Sequence, residues 1–180
     1  MLYIFVEGND DKRFFQSILE PKLQRKYNLV ETRCYANLKK EKVDNFLKSI
    51  KAMGADYIYV TDINNSLCVT AKKQKKQNEL KNIDNDKIIV VVKEIESWYL
   101  AGLDNICSQK FKISTFSTTD TITKEKFNSL IPKKFDSRIN FMLEILEKFS
   151  VKIAKQKNKS FRYFIEKCNC KASENVSSGI

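Results

Sequence analysis

Four short runs of apolar, β-branched or aromatic residues recur in the first half of the chain: Leu2 to Val6, Val30 to Tyr35, Tyr57 to Thr61 and Ile88 to Val92. Each has the length and composition of a β-strand. Ile88-Ile89-Val90-Val91-Val92 is apolar without alternation, the pattern of a strand covered on both faces. Helical spacing fills the gaps. Asp11 to Tyr27 puts Phe14, Phe15, Ile18 and Leu19 on one face, with Asp10 or Asp11 placed to cap its positive end. Lys39 to Met53 repeats Val43, Phe46, Leu47 and Ile50 until Gly54 stops it. The third connection, Asn64 to Asn85, is the most polar, and its Lys72-Lys73-Gln74-Lys75-Lys76 run fits a helix face or a mobile loop. Strands alternating with helices predict an α/β fold, a parallel four-stranded sheet with helices on both faces.

After Glu94 the spacing becomes helical throughout, beginning with Ile95, Trp98, Tyr99 and Leu100. Ser114, Thr115, Ser117, Thr118 and Thr119 read as a loop leading to Thr123, a helix cap with Glu125 in the turn behind it. Further helices are expected from Ser137 to Phe149, with Ile139, Met142, Leu143 and Leu146 inward, and from Ser160 to Cys168, with Phe161, Phe164 and Ile165 inward. The chain thus divides into an α/β unit over 1–103, a C-terminal helical extension packed on it over 104–171, and a small polar tail over 172–180 that is expected to be disordered.

A length of 180 residues suits one domain with a sizeable core, and 42% hydrophobic content argues against disorder. No apolar run reaches the length of a membrane span. The N-terminus reads as a strand and not as a secretory signal, so a cytoplasmic protein is expected. Cys34, Cys68, Cys107, Cys168 and Cys170 lack paired zinc spacing and read as reduced thiols. There is no histidine, which excludes Ser-His-Asp and Cys-His triads, histidine bases and His-containing zinc sites. The net charge of +11 suits a polyanionic partner such as DNA or RNA, though solvated lysine faces would give the same balance. Residues 1–103 hold 18 basic and 14 acidic groups, and residues 104–180 hold 15 and 8. The positive excess is therefore concentrated in the extension.

In a parallel sheet, functional groups gather beyond the carboxyl ends of the strands. Glu7 follows the first strand, Asp62 the third, and Glu94 with Glu96 the fourth, all on that edge. Asp11, in the helix entered through Glu7-Gly8, is a further candidate ligand. Taken singly, each reads better as a loop acid or a cap; three in register favour a site. Mutually repelling carboxylates with no imidazole or paired thiolate suit Mg²⁺ or Mn²⁺.

Ile4-Phe5-Val6-Glu7-Gly8-Asn9-Asp10-Asp11-Lys12-Arg13-Phe14-Phe15 resembles the first motif of Toprim domains, an apolar strand ending in Glu-Gly before an acid and an aromatic helix. Tyr59-Val60-Thr61-Asp62-Ile63-Asn64 resembles the second, Asp-x-Asp after the third strand. Val92-Lys93-Glu94-Ile95-Glu96-Ser97-Trp98-Tyr99-Leu100 and the stretch Lys155 to Phe164 are similar to segments of small standalone Toprim-like proteins grouped with OLD-type nucleases, several of them tied to phage defence. The resemblance implies a Toprim-like (Rossmann-like) fold and Mg²⁺-dependent phosphodiester hydrolysis of DNA or RNA. Under it, Glu7 is a metal ligand or proton acceptor, Asp62 the first metal-binding aspartate, and Glu94 or Glu96 an added acid. Asn64 stands where the family has its second aspartate. That departure puts a second metal in question and leaves open a non-catalytic nucleic-acid-binding protein or a partner of an ATPase.

On this reading Glu7, Asp62 and Glu94 are the catalytic set, and Glu7, Asp11, Asp62, Asn64, Glu94 and Glu96 the metal set. Lys72, Lys73, Lys75, Lys76, Lys155, Lys157, Lys159 and Arg162 are candidates to grip phosphates, or simply exposed lysine faces. Trp98 and Tyr99 fit core packing better than base stacking. Two other readings compete. A receiver-type domain would make Asp62 a phospho-acceptor, but it needs a fifth strand where this chain turns helical. The small Toprim ribonuclease of ribosomal RNA maturation has Asp-Pro-Asp where Asp62-Ile63-Asn64 stands.

Overall fold

The computed structural model describes residues 1–168. Strands β1 (Leu2–Val6), β2 (Val30–Cys34), β3 (Asp56–Asp62) and β4 (Ile88–Val91) form one sheet in the order β2-β1-β3-β4, with every neighbouring pair parallel. The fold is therefore α/β and Rossmann-like, as the alternation of strands and helices predicts. Among the described residues no strand follows β4, so the fifth strand required by a receiver is missing. No helix is long and apolar enough to cross a membrane, again among the described residues. The tail over 172–180, residues 169–171 of the expected extension, and Cys170 lie outside the described residues.

The pleat sends alternate residues of each strand to different cores. Leu2, Ile4, Val6, Val60, Ile89 and Val91 face one, and Phe5, Tyr57, Tyr59, Ile88 and Val90 face the other. Helix α3 (Lys40–Ala52) covers the second core with Val43, Leu47 and Ile50, helped by Leu80 and Ile83. Phe46, expected inward, is only partly buried and lies under the Arg33 guanidinium. The polar connection resolves into a helix, α4 (Val69–Glu79), capped by the Cys68 sulfur.

The first core is closed by the segment after β1 and by the C-terminal helices. That segment starts two residues earlier than the spacing predicts and is not uniform. Helix α1 (Asn9–Phe14) passes into a π-helical turn, Phe15–Leu19, before α2 (Glu20–Leu23). Pro21, in the first turn of α2, has no N–H for a bond to the preceding turn, and a π-turn is one way for a helix to slip its register there. Phe14 meets Tyr99 at 5.1 Å, Phe149 at 5.2 Å and Trp98 at 5.8 Å between ring centres. Trp98 and Tyr99 are both fully buried, so they pack as core. Burying such a side chain is worth roughly 1.5–3 kcal/mol, which fastens the extension to the sheet.

The extension consists of α5 (Glu96–Ala101), α6 (Asn105–Phe111), α7 (Lys124–Ser129), α8 (Arg138–Glu147), α9 (Val151–Lys157) and α10 (Lys159–Lys167). Thr123 caps α7 as expected. In α8 the inward face is rotated from the expected one: Phe141, Met142, Ile145 and Leu146 are buried, whereas Ile139 and Leu143 are exposed. Phe141 turns inward onto Phe127, Phe111 and Phe135, and that aromatic cluster sets the rotation. Asn158, 1% exposed, ties the layers together: its Nδ2 donates to Ser97 and Thr119, and its Oδ1 accepts from the Ser160 hydroxyl and the Phe161 N–H.

Candidate functional site

Beyond the carboxyl ends of β1, β3 and β4 lies an open cleft of about 330 Å³, lined by Glu7 to Asp11, Asp62, Asn64, Glu94 to Glu96 and Lys124. All six candidate metal residues line it. The parallel register brings them there: β1 ends immediately before Glu7, Asp62 is the last residue of β3, opposite Val91, and Glu94 and Glu96 start the turn and helix after β4.

Asp62 is the site's most strained group. Its Oδ1 is buried with no hydrogen-bond partner among the described residues. Burial pushes its carboxyl up to about 9, and Asp11, Glu7, Glu96 and Glu94 push in the same direction. That ordering puts four other carboxylates within electrostatic reach of one oxygen pair. Asp11 is 7% exposed. Burial raises it to about 7, with Glu7 and Glu96 adding to the shift and the Gly8 N–H opposing it. Glu96 is likewise raised, by burial first, with Arg138 opposing.

The helix start differs from the expected one. The N-cap is Gly8, and Asp11 at the third helical position reaches back to accept the Gly8 N–H at 3.1 Å. Gly8 has an extended backbone that any residue can adopt, and a Cβ there would make only an ordinary 3.7 Å contact, with Asp11 Oδ2. Asp10 takes no part in capping. It pairs with Arg13 at 2.6 Å and with Arg138.

Two residues on the rim have left-handed backbones, Asn64 at φ 46° and Lys93 at φ 65°. Asparagine tolerates this region better than most residues, so Asn64 has a conformational reason to be where it is, apart from any ligand role. Lys93 has none, and such a conformation costs on the order of 1–2 kcal/mol. It turns the chain at the end of β4 just ahead of Glu94.

Lys124, which lines the cleft, and Arg138, which binds two of its acids, both come from the extension. Neither stands out in a strand-end reading. The Lys124 backbone N–H donates to Glu94 Oε2, and Arg138 donates to Glu96 Oε1 and Asp10 Oδ2. Arg138 lies 42 residues from Glu96. Its one local signal is a cation in the first turn of a helix, where the macrodipole disfavours it.

The expected phosphate-gripping residues are not of one kind. Lys75, Lys159 and Arg162 are exposed. Lys72 is 4% exposed, with an ammonium lowered by burial and by Lys76, and raised by the field of Glu7 and Asp62. It faces inward, off the solvent face of α4. Lys157 donates to the Leu103 carbonyl at 2.6 Å, Lys73 to the Asn85 carbonyl at 3.2 Å, and Lys76 pairs with Glu79. Lys155 is half-buried on α9.

Among the described residues no group of three or more His, Cys, Asp or Glu side chains is arranged to hold a metal ion as placed. The donors nonetheless suit a hard divalent cation. They are all oxygens, one of them is orphaned and buried, and their mutual repulsion is what a cation relieves. Glu94 and Glu96 each give one carboxylate oxygen to the extension and Asp11 gives one to the Gly8 N–H, so each keeps its second oxygen for a cation, alongside Glu7 and Asp62.

No family model matches the chain, and no curated protein does. Among solved structures it is similar to the C-terminal region of the Burkholderia pseudomallei OLD protein, at 12% identity and a TM-score of 0.37, covering 94% of this chain and 95% of that one. At that distance the side chains themselves must carry any functional assignment.

Proposed function

We propose that the acidic cleft binds Mg²⁺ or Mn²⁺ and that the protein is a metal-dependent nuclease, hydrolysing phosphodiester bonds in DNA or RNA in the manner of OLD-type Toprim proteins. The observation that carries this reading is the orphaned, buried Oδ1 of Asp62, surrounded by four other carboxylates at the carboxyl edge of a parallel sheet. A buried carboxyl without a partner is costly to ionise unless a cation meets it. The Glu-Gly and Asp62 motifs resemble those of Toprim domains in the same positions.

Glu7, Asp11, Asp62 and Glu96 would hold the cation, with Glu94 beside them. When bound, the cation neutralises the phosphate and lowers the pKa of an attacking water. The protein's own part is to aim that chemistry. The Gly8 N–H holds Asp11, the end of β3 places Asp62, and exposed Lys75, Lys159 and Arg162 add positive charge for a polyanion. A protein that binds nucleic acid without cutting it, or that acts only with an ATPase partner, is the second reading, favoured by the neutral Asn64.

Incubating the purified protein with labelled single- and double-stranded DNA and RNA tests the proposal. Cleavage in Mg²⁺ or Mn²⁺ and none in EDTA is expected. Intact substrates in both metals refute autonomous nuclease activity, and retention of the substrates without cleavage supports the second reading.

A further inference from the structure

Arg138 opens α8 behind its cap, Ser137. Each of its three nitrogens donates a hydrogen bond, and the group packs on an aromatic ring. Nη1 donates to Asp10 Oδ2, Nη2 to Glu96 Oε1 and Nε to Asn128 Oδ1 at 2.9 Å, while Cζ lies 5.6 Å from the centre of the Phe127 ring. The two carboxylates belong to different parts of the fold. Asp10 is on α1, after β1; Glu96 opens α5, after β4.

Both line the acidic cleft, and their backing differs. Asp10 has a second cation, Arg13. The Glu96 side chain, 5% exposed, pairs with Arg138 alone among the described residues. A planar fork that binds two carboxylates while packed on an aromatic ring fixes direction as well as charge, which the point charge of a lysine does not. Arg138 in turn is held by Asn128 and Phe127 of α7, the helix whose first N–H holds Glu94.

We propose that Arg138 is the positioning residue of the acidic cleft: it orients Glu96, and by joining Glu96 to Asp10 it ties the helix that follows β4 to the helix that follows β1 across the cleft. The inference rests on the reading of the cleft as a divalent cation site. It also makes the helical extension part of that site. Groups that orient metal ligands from behind typically matter by 10–100-fold in metal affinity.

The test is Mn²⁺ binding to the full chain by calorimetry, for wild type, Arg138→Lys and Arg138→Ala, with melting temperatures in EDTA and in Mn²⁺. Both variants are expected to bind Mn²⁺ about tenfold or more weakly. In Arg138→Lys the melting temperature in EDTA should stay near that of wild type while the Mn²⁺-induced rise shrinks, a split that a merely structural role would not give. If Arg138→Ala does not fold, Arg138→Lys decides the matter. Wild-type affinity in Arg138→Lys overturns the proposal, because charge alone then suffices. Equal or tighter binding by a folded Arg138→Ala overturns it as well, since Arg138 would then be only a competing counter-charge. No Mn²⁺ binding by wild type overturns the cation-site reading, and this inference with it.

Discussion

The backbone N–H of Lys124 donates to Oε2 of Glu94, thirty residues earlier in the chain. Through this bond the turn that ends the sheet holds the start of α7, so the acid has a structural duty beside any chemical one. The two duties separate by substitution. Glu94→Gln keeps an acceptor and should leave stability within about 0.5 kcal/mol, whereas Glu94→Ala should cost about 1 kcal/mol and speed exchange of the Lys124 amide. Equal stability of the two variants, with no change in that exchange, would contradict this.

Asp62 should destabilise the metal-free protein at neutral pH. Its folded pKa, about 9, lies above its ordinary value, so the folded state holds the proton more tightly than the unfolded one. Stability from this group is greatest at pH below about 4 and is lost as pH rises toward 9. Asp62→Asn removes the charging cost. In EDTA at pH 8 it should gain several kcal/mol, at roughly 2–4 °C in melting temperature for each, and the gain should fade by pH 4. A loss of stability at pH 8 would contradict the burial described for Asp62.

Cation binding should release protons. With Asp11 raised to about 7 and Asp62 to about 9, the metal-free cleft holds one to two protons at pH 7 that a cation must displace. Mn²⁺ affinity should therefore climb between pH 6 and 9. Calorimetric heats at pH 7 should also vary with the buffer's ionisation enthalpy. Heats that are independent of buffer, with an affinity flat in pH, would be the contrary result.

Gly102 tests the seam between sheet and extension. A Cβ there would lie 2.2 Å from the Phe149 ring, which is packed in turn against Phe14 and Phe161. The backbone at Gly102 is ordinary helical, so the conflict is purely steric. Gly102→Ala should cost about 1–3 kcal/mol by chemical denaturation, and Phe149→Leu in the same chain should recover part of it. An unchanged midpoint would contradict the packing.

The sheet was legible because its strands are short apolar runs separated by helical periods, a signal local to each segment. The strand-end acids could be read for the same reason, since Glu7, Asp62, Glu94 and Glu96 each adjoin a run. What escaped was long-range. In α8 two faces fit the helical spacing, one through Ile139 and Leu143 and one through Phe141 and Ile145. Only the rings of Phe111, Phe127 and Phe135 decide between them. Arg138 reaches Asp10 across 128 residues, and nothing near it in sequence points to that acid. Lys72 reads like its neighbours in a lysine run, yet the rotation of α4 turns it inward while Lys75 stays in solvent.

Cleavage of labelled substrate in Mn²⁺ by wild type and by Asp62→Ala, prepared side by side, tests the central claim most directly. Wild type should cut and Asp62→Ala should fall by a factor of about 100 or more, in keeping with the loss of a ligand to the cation that would meet the reacting phosphate. Equal cleavage by the two would place the activity outside this cleft and contradict the account.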